Sequence, residues 1–377
     1  MSAWNAATPN DTELGAFARS HLRRLARTPR PTCSAAAADA RQYCSFTLSS
    51  LGFRVREIPF EYSAAVGAYG TPAGGAALCL VIIGAAGAAW GNRASMALVV
   101  LIVGGLGVAL GGRWLAADGV LSLPFMRRRG VNIEATRGEN DPDVWLVAHV
   151  DSKSQPVPLL VRALGILLLA IGWIAAIMLA VGNMLGHAAP HLWSAVVVIA
   201  VVGALPVLGS VVGTRSAGAI DNASGVATVL AAAAASPEAN LGVLITDAEE
   251  MGLAGARAWC AETTRRRVPV LNCDGVDDEG LLTLMWTRPR SLRIESVVRR
   301  ASRDFGALRV IPLVPGVLVD GVAFSDAGWE SLTLSRGSLA TLRRIHTRAD
   351  NLDHLEGRDL SSAALTLALA AHALMEH

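Results

Sequence analysis

The chain has 377 residues, of which 52% are hydrophobic and only 17% charged, with a formal net charge of +2. High hydrophobicity at low net charge excludes an intrinsically disordered chain, and five scattered cysteines with no CxxC pair exclude a disulfide scaffold. A near-neutral balance, with basic runs no longer than Arg127–Arg129 and Arg265–Arg267, excludes a nucleic-acid-binding footprint.

In chain order, Met1–Arg30 has no apolar run of the kind a cleaved signal peptide needs. Hydrophobic periodicity predicts helices over Thr12–Arg27 and Ser34–Leu51 and a strand over Phe53–Phe60. Between Tyr62 and Asn92 there is no acidic or basic residue, and after Arg93 the stretch Ala94–Gly112 is again uncharged. About 20 helical residues cross a bilayer core, so these stretches read as a hairpin with spans near 73–91 and 94–113. Gly104, Gly107 and Gly111 give the second span a GxxxG step suited to close packing in lipid. Strands are expected at Val131–Ala135 and Val144–Val150. A further uncharged region, Ala163–Thr214, is broken near Gly182-Asn183 and Pro190-His191 and reads as a second hairpin, with spans near 159–182 and 191–213.

Beyond it, helices are predicted at Ala223–Ala235, Gly252–Thr263, Leu292–Asp304 and Leu360–Met375. Strands are predicted at Leu241–Thr246, Val268–Asn272, Leu281–Trp286, 308–312 and 331–335. The fold class is therefore α/β, a mixed central sheet flanked by helices, with two inserted transmembrane hairpins of four spans in all. Residues 1–60, 119–157 and 215–377 make up the polar domain, and 73–113 and 159–213 the hairpins. Each hairpin returns the chain to the side it left. Arg113, Arg127–Arg129, Arg162 and Arg215 flank the spans on that side, whereas the loop 183–191 has no Lys or Arg. The positive-inside rule then places the polar domain in the cytoplasm, on an integral membrane protein.

In an open α/β sheet the ligand site lies off the carboxyl ends of the strands. Five fragments put a His or a carboxylate there: AHVDS (148–152), GAIDNASGVA (218–227), TDAEEMGLAGA (246–256), LNCDG (271–275) and IHTRADNLD (345–353). Adjacent carboxylates such as Glu249-Glu250 repel each other unless a cation compensates. A pair of divalent ions held by His and shared carboxylates is the economical explanation. The bland alternatives are a helix N-cap for Asp221-Asn222, a turn before Gly275 for Asp274, a core histidine for His149 and a loop residue for His346. Neither GxSxG nor HExxH occurs. Asn222-Ala223-Ser224 matches a glycosylation sequon that reads as a coincidence within the site. Lys153, the only lysine, reads as a consequence of base composition.

Taken in order, these five fragments resemble the M28 family of zinc metallopeptidases. The resemblance covers the whole polar part of the chain and implies a zinc-dependent exopeptidase-like fold and two zinc ions. It implies that His149 and Asp274 bind the first ion, Glu250 and His346 the second, and that Asp221 bridges both. Glu249 would be the general base, Asp151 would orient the His149 ring, and Asp320 would support the pocket. The implied activity is peptide hydrolysis, the family's commonest form being an aminopeptidase. Glutaminyl cyclase-like acyl transfer on one zinc, or a non-catalytic receptor with a peptidase fold, are the other readings. Two departures stand out. The second hairpin lies between His149 and Asp221, which places the site near the bilayer face and suggests a membrane-associated peptide substrate. Ala248 replaces the glycine that commonly precedes the Glu pair. Partners are thus a peptide and the lipid bilayer, with no nucleic acid, and nothing in the sequence fixes an oligomeric state.

Overall fold

The computed structural model describes residues 11–187, 189–237, 239–287, 290–304, 308–314 and 316–376, and the side chains of all of these except 301–304. The reading of Met1–Arg30 as free of a leader therefore falls partly outside the described residues. The chain divides into two compact units, Met1–Tyr62 with Arg127–Ser154 and Thr214–His377, and Ser63–Met126 with Gln155–Gly213.

The first unit is built on an eight-stranded sheet. Its strands are β1 Arg54–Ser63, β2 Arg127–Thr136, β3 Val144–His149, β4 Leu241–Thr246, β5 Val270–Val276, β6 Leu281–Trp286, β7 Arg309–Pro312 and β8 Ser331–Gly337. The spatial order is β1-β2-β4-β3-β5-β8-β6-β7. Strands β4, β3, β5 and β8 run parallel, β2 and β6 pair antiparallel to β4 and β8, and β7 runs parallel to β6. The sheet is mixed, as the alternation of elements in the sequence predicts.

Every residue of β3 (VWLVAH) and β4 (LGVLIT) is buried. Such unbroken apolar runs belong to strands covered on both faces. One cover is the alanine-rich helix Gly225–Ala234 with Asp11–Leu25 and Leu360–Met375, whose Val226, Leu230, Leu14, Leu22 and Leu367 join Leu146 and Ile245 in the main core. The other centres on Trp145, Trp259, Phe324 and Trp329. Their rings meet mostly edge to face, at centroid distances of 5.1 to 6.2 Å.

Some boundaries differ from the expected ones for physical reasons. Strand β2 starts at Arg127 rather than Val131, because its first three residues are exposed arginines that give no apolar signal. Strand β5 runs past Asn272 through a register shift between Cys273 and Val276, so Asp274 sits within the strand's irregular end and not beyond it. Helices Asp320–Asp326 and Leu339–Arg344 are too short for a periodic pattern to reveal.

Among the described residues, the second unit has four helices long and apolar enough to cross a membrane: Ala64–Trp90, Ala94–Ser122, Leu159–Met184 and Pro190–Leu208. The first begins at Ala64, ahead of the expected 73, where the Ser63 hydroxyl accepts the Ala65 N–H. The fourth ends at Leu208, short of 213, with Gly209 following. Small residues bring the helices together. A Cβ on Gly165 would stand 2.6 Å from the Gly203 carbonyl oxygen, so Leu159–Met184 and Pro190–Leu208 touch backbone to backbone there. Gly104 packs equally closely on Val81, but Gly107 and Gly111 have nothing within 4 Å of where a Cβ would be. The GxxxG step is therefore not the packing seam of this unit. The outward faces carry large aliphatic residues, among them Leu106, Leu167, Met178 and Leu205.

Candidate metal centre

The parallel strands β4, β3 and β5 are neighbours, and each delivers functional side chains at its carboxyl end. His149 closes β3, and Asp151 follows two residues on. Strand β4 leads into the tight turn Glu249–Met251. Strand β5 supplies Asp274. Asp221 lies in the irregular turn ahead of helix Gly225–Ala234, and His346 just beyond helix Leu339–Arg344.

These six side chains meet in two adjoining groups, His149–Glu249–Asp274 and Asp221–Glu250–His346, each compact enough to hold one metal ion. Asp221 lies between the two imidazoles. Its Oδ1 is 3.1 Å from His149 Nε2 and its Oδ2 is 2.9 Å from His346 Nε2. Around His149 Nε2 stand Asp274 Oδ1 at 3.7 Å and Glu249 Oε2 at 3.9 Å. Glu250 Oε1 is 3.4 Å from His346 Nε2.

The turn holding the two glutamates is strained and pinned. Ala248 has φ 58° and Leu253 φ 61°, a left-handed conformation that costs a non-glycine residue about 1–2 kcal/mol. A glycine would relieve that cost at Ala248, which gives the expected departure its physical meaning. Compensation comes from Asp151, whose Oδ1 accepts the Glu249 N–H at 3.1 Å and whose Oδ2 accepts the Glu250 N–H at 3.2 Å. Thr32 donates to the same Oδ2. The Asp151 carboxylate thus fastens the glutamate turn, while its backbone carbonyl is the nearer partner of the His149 ring. Nδ1 donates to that carbonyl at 3.1 Å and stands 3.5 Å from the carboxylate.

Three supports were not assigned from sequence. Asp350, inside the IHTRAD fragment, accepts the Ile220 N–H at 2.6 Å and the Asp221 N–H at 3.2 Å, fixing the backbone that carries Asp221. Asn222 accepts from the N–H groups of Gly225 and Gly275 and donates to the Cys273 carbonyl, tying the Asp221 turn to β5. Arg30, fully enclosed, donates to the carbonyls of Val150, Gly218, Ala217 and Leu25 at 2.5 to 3.0 Å. A lone arginine gives no sequence signal for such a role. Asp320 is buried beside the centre with one oxygen on the Thr246 hydroxyl and the other without a hydrogen bond. Asp247, next to the Glu pair, turns away and pairs with Arg41 at 2.9 Å.

The electrostatics separate the two adjacent glutamates. Burial pushes the Glu249 carboxyl well above the usual carboxylate range; His149 opposes this, and Glu250, Asp274 and Asp320 add to it. Burial would raise Glu250 too, but Lys153 and His346 hold it below its ordinary value. Burial also works against Asp221, yet the two imidazoles beside it keep it well below the ordinary range. Neighbouring carboxyl groups pushed apart in this way are suited to different tasks, one as proton carrier and one as permanent anion.

The donor set fits zinc. In its neutral form the His149 ring spends its proton on the Asp151 carbonyl, so Nε2 presents a lone pair toward three carboxylates. His149 Nε2 and Glu250 Oε1 are buried and have no aligned hydrogen bond. Carboxylates facing a lone pair require a cation between them, either a proton or a metal. Imidazole nitrogen and carboxylate oxygen are ligands that zinc accepts.

Fold and site together define a class: α/β proteins that present two joined imidazole–carboxylate groups at the carboxyl ends of parallel strands. The profile of peptidase family M28 matches residues 132–371. No curated protein sequence matches the chain. Among solved structures, a zinc aminopeptidase from Bacillus subtilis is 15% identical with a TM-score of 0.54, covering 94% of each chain. An aminopeptidase from Aneurinibacillus sp. strain AM-1 is 15% identical with a TM-score of 0.56, covering 96% of this chain and 93% of its own. Glutaminyl cyclase from Porphyromonas gingivalis is 14% identical with a TM-score of 0.52, covering 95% and 97%. The chain belongs to peptidase family M28.

Proposed function

We propose that this protein is a membrane-integral peptidase that hydrolyses peptide bonds with two zinc ions and removes N-terminal residues. The observation that carries the reading is the placement of Asp221, with one oxygen toward each imidazole. His149 and Asp274 would hold one ion, Glu250 and His346 the other, and Asp221 both. When bound, such a pair supplies Lewis acidity to the scissile carbonyl and makes the attacking water acidic near neutral pH. Glu249, in the group with His149 and Asp274, takes the proton from that water and hands it to the departing amine. Asp151 fixes the His149 tautomer through its carbonyl and holds the glutamate turn through its carboxylate.

The four apolar helices would span the bilayer, with the peptidase unit in the cytoplasm. Insertion of one helix pair between His149 and Asp221 in the chain favours a substrate presented near the membrane. The aminopeptidase neighbours favour exopeptidase action over cyclisation.

With the full chain purified in detergent, a peptide with a free amino terminus should lose its first residue, while the same peptide N-acetylated should stay intact. Cyclisation of an N-terminal glutamine without hydrolysis would overturn the peptidase reading in favour of acyl transfer. Cleavage from the carboxyl end would overturn the aminopeptidase assignment alone.

A further inference from the structure

Lys153 is the only lysine in a chain whose other basic residues, histidines apart, are all arginine. Its ammonium, half-buried and four residues beyond His149, lies 2.5 Å from Glu250 Oε2. The partner oxygen, Glu250 Oε1, is buried without a hydrogen bond and stands 3.4 Å from His346 Nε2. One carboxylate thus has one oxygen engaged and the other left open toward the second group.

A carboxylate can bind a metal through one oxygen or through both, and the choice changes the coordination number. An ammonium is a compact point charge that can occupy a single oxygen. A guanidinium is a planar fork that grips both oxygens of a carboxylate at once.

We propose that Lys153 is a positioning residue that holds Glu250 as a one-oxygen metal ligand, occupying Oε2 so that only Oε1 faces the ion. The proposal rests on the reading of Glu250 as a ligand of the second ion. Lys153 touches neither substrate nor reacting atoms and acts only through Glu250. Its effect is confined to the ion shared by Asp221, Glu250 and His346, and the ion at His149 and Asp274 is left alone.

The test titrates metal-free full-length protein in detergent with zinc, and separately with cobalt(II), whose visible absorption falls as coordination number rises. Wild type should take up two ions. In Lys153→Met the second ion should bind about 10–100-fold more weakly, the usual cost of removing a partner that orients a ligand. Its cobalt band should weaken as Glu250 becomes free to use both oxygens. Lys153→Arg keeps the charge and should nonetheless lose second-ion affinity at least as far, because the fork captures both oxygens. The first ion should bind as in wild type in both variants, which also reports that they fold. Lys153→Gln serves if Lys153→Met does not fold, and should weaken the second ion in the same way. Second-ion binding in Lys153→Met as tight as in wild type, or tighter, would overturn the proposal and make Lys153 a simple counter-charge. Unchanged binding in Lys153→Arg would overturn it equally. Uptake of one ion or none by wild type would overturn the reading of the site itself, and the role of Lys153 with it.

Discussion

A Glu249→Gln variant is expected to keep its metal and to lose about 10²–10⁴-fold in kcat, the range that a positioned general base contributes. Several features make the effect specific to the chemistry. The Glu249 backbone N–H is held by Asp151 at 3.1 Å, so the glutamate turn does not depend on the side chain being charged. Its Oε2 is 3.9 Å from His149 Nε2, the longest of that nitrogen's contacts to the carboxylates of the centre, whereas Glu250 is clasped by Lys153 at 2.5 Å. Of the two adjacent glutamates, the one farther from the imidazole and without a lysine partner is the one placed to carry a proton. Turnover and zinc content measured on one preparation check this. A loss of kcat below tenfold would remove Glu249 from the role of base. Loss of an ion would make it a ligand.

Replacing Arg30 should have the largest effect on stability. Its side chain satisfies four main-chain carbonyls, two of them on Val150 and Gly218, which flank His149 and lead into Asp221. The methionine of Arg30→Met fills much of the volume but donates nothing, so the Val150, Ala217 and Leu25 oxygens lose the guanidinium while Gly218 keeps only the Ala223 N–H. Breaking a buried polar cluster of this kind costs about 3–5 kcal/mol. For a domain of this size that corresponds to a fall of about 10 °C in the unfolding temperature of the peptidase unit. Thermal unfolding with and without added zinc would check it. Zinc should recover less stability in the variant, because the two segments that carry His149 and Asp221 are no longer clamped together. A shift within about 2 °C would show that water or backbone rearrangement satisfies these carbonyls.

What the sequence reveals and what it hides follow from how each feature is encoded. Strands β3 and β4 are legible because burial on both faces leaves unbroken apolar runs, and the candidate site at their ends because a His or a carboxyl pair interrupts those runs. The same rule fails at the start of β2, where Arg127–Arg129 are exposed, and at the end of β5, where a register shift carries the strand past its apolar stretch. Arg30, and the role of Asp350 within a fragment that the sequence does single out, are invisible for another reason. Their partners are backbone groups, most of them far away in the chain, and no spacing encodes a hydrogen bond to a carbonyl or an amide. Asp151 is half legible: its proximity to His149 follows from sequence adjacency, whereas its hold on the glutamate turn requires β3 and β4 to lie side by side. The glycines of the second apolar helix mislead in the opposite direction. A GxxxG spacing marks a smooth helix face, but Gly104 packs while Gly107 and Gly111 do not.

The central claim is that Asp221 joins two metal ions. The direct measurement is zinc per chain in the detergent-purified protein, wild type beside Asp221→Ala. Two zincs in wild type, with the affinity of both lowered together in the variant, are predicted. One zinc or none in wild type, or the loss of a single ion in Asp221→Ala with the other bound as before, would contradict it.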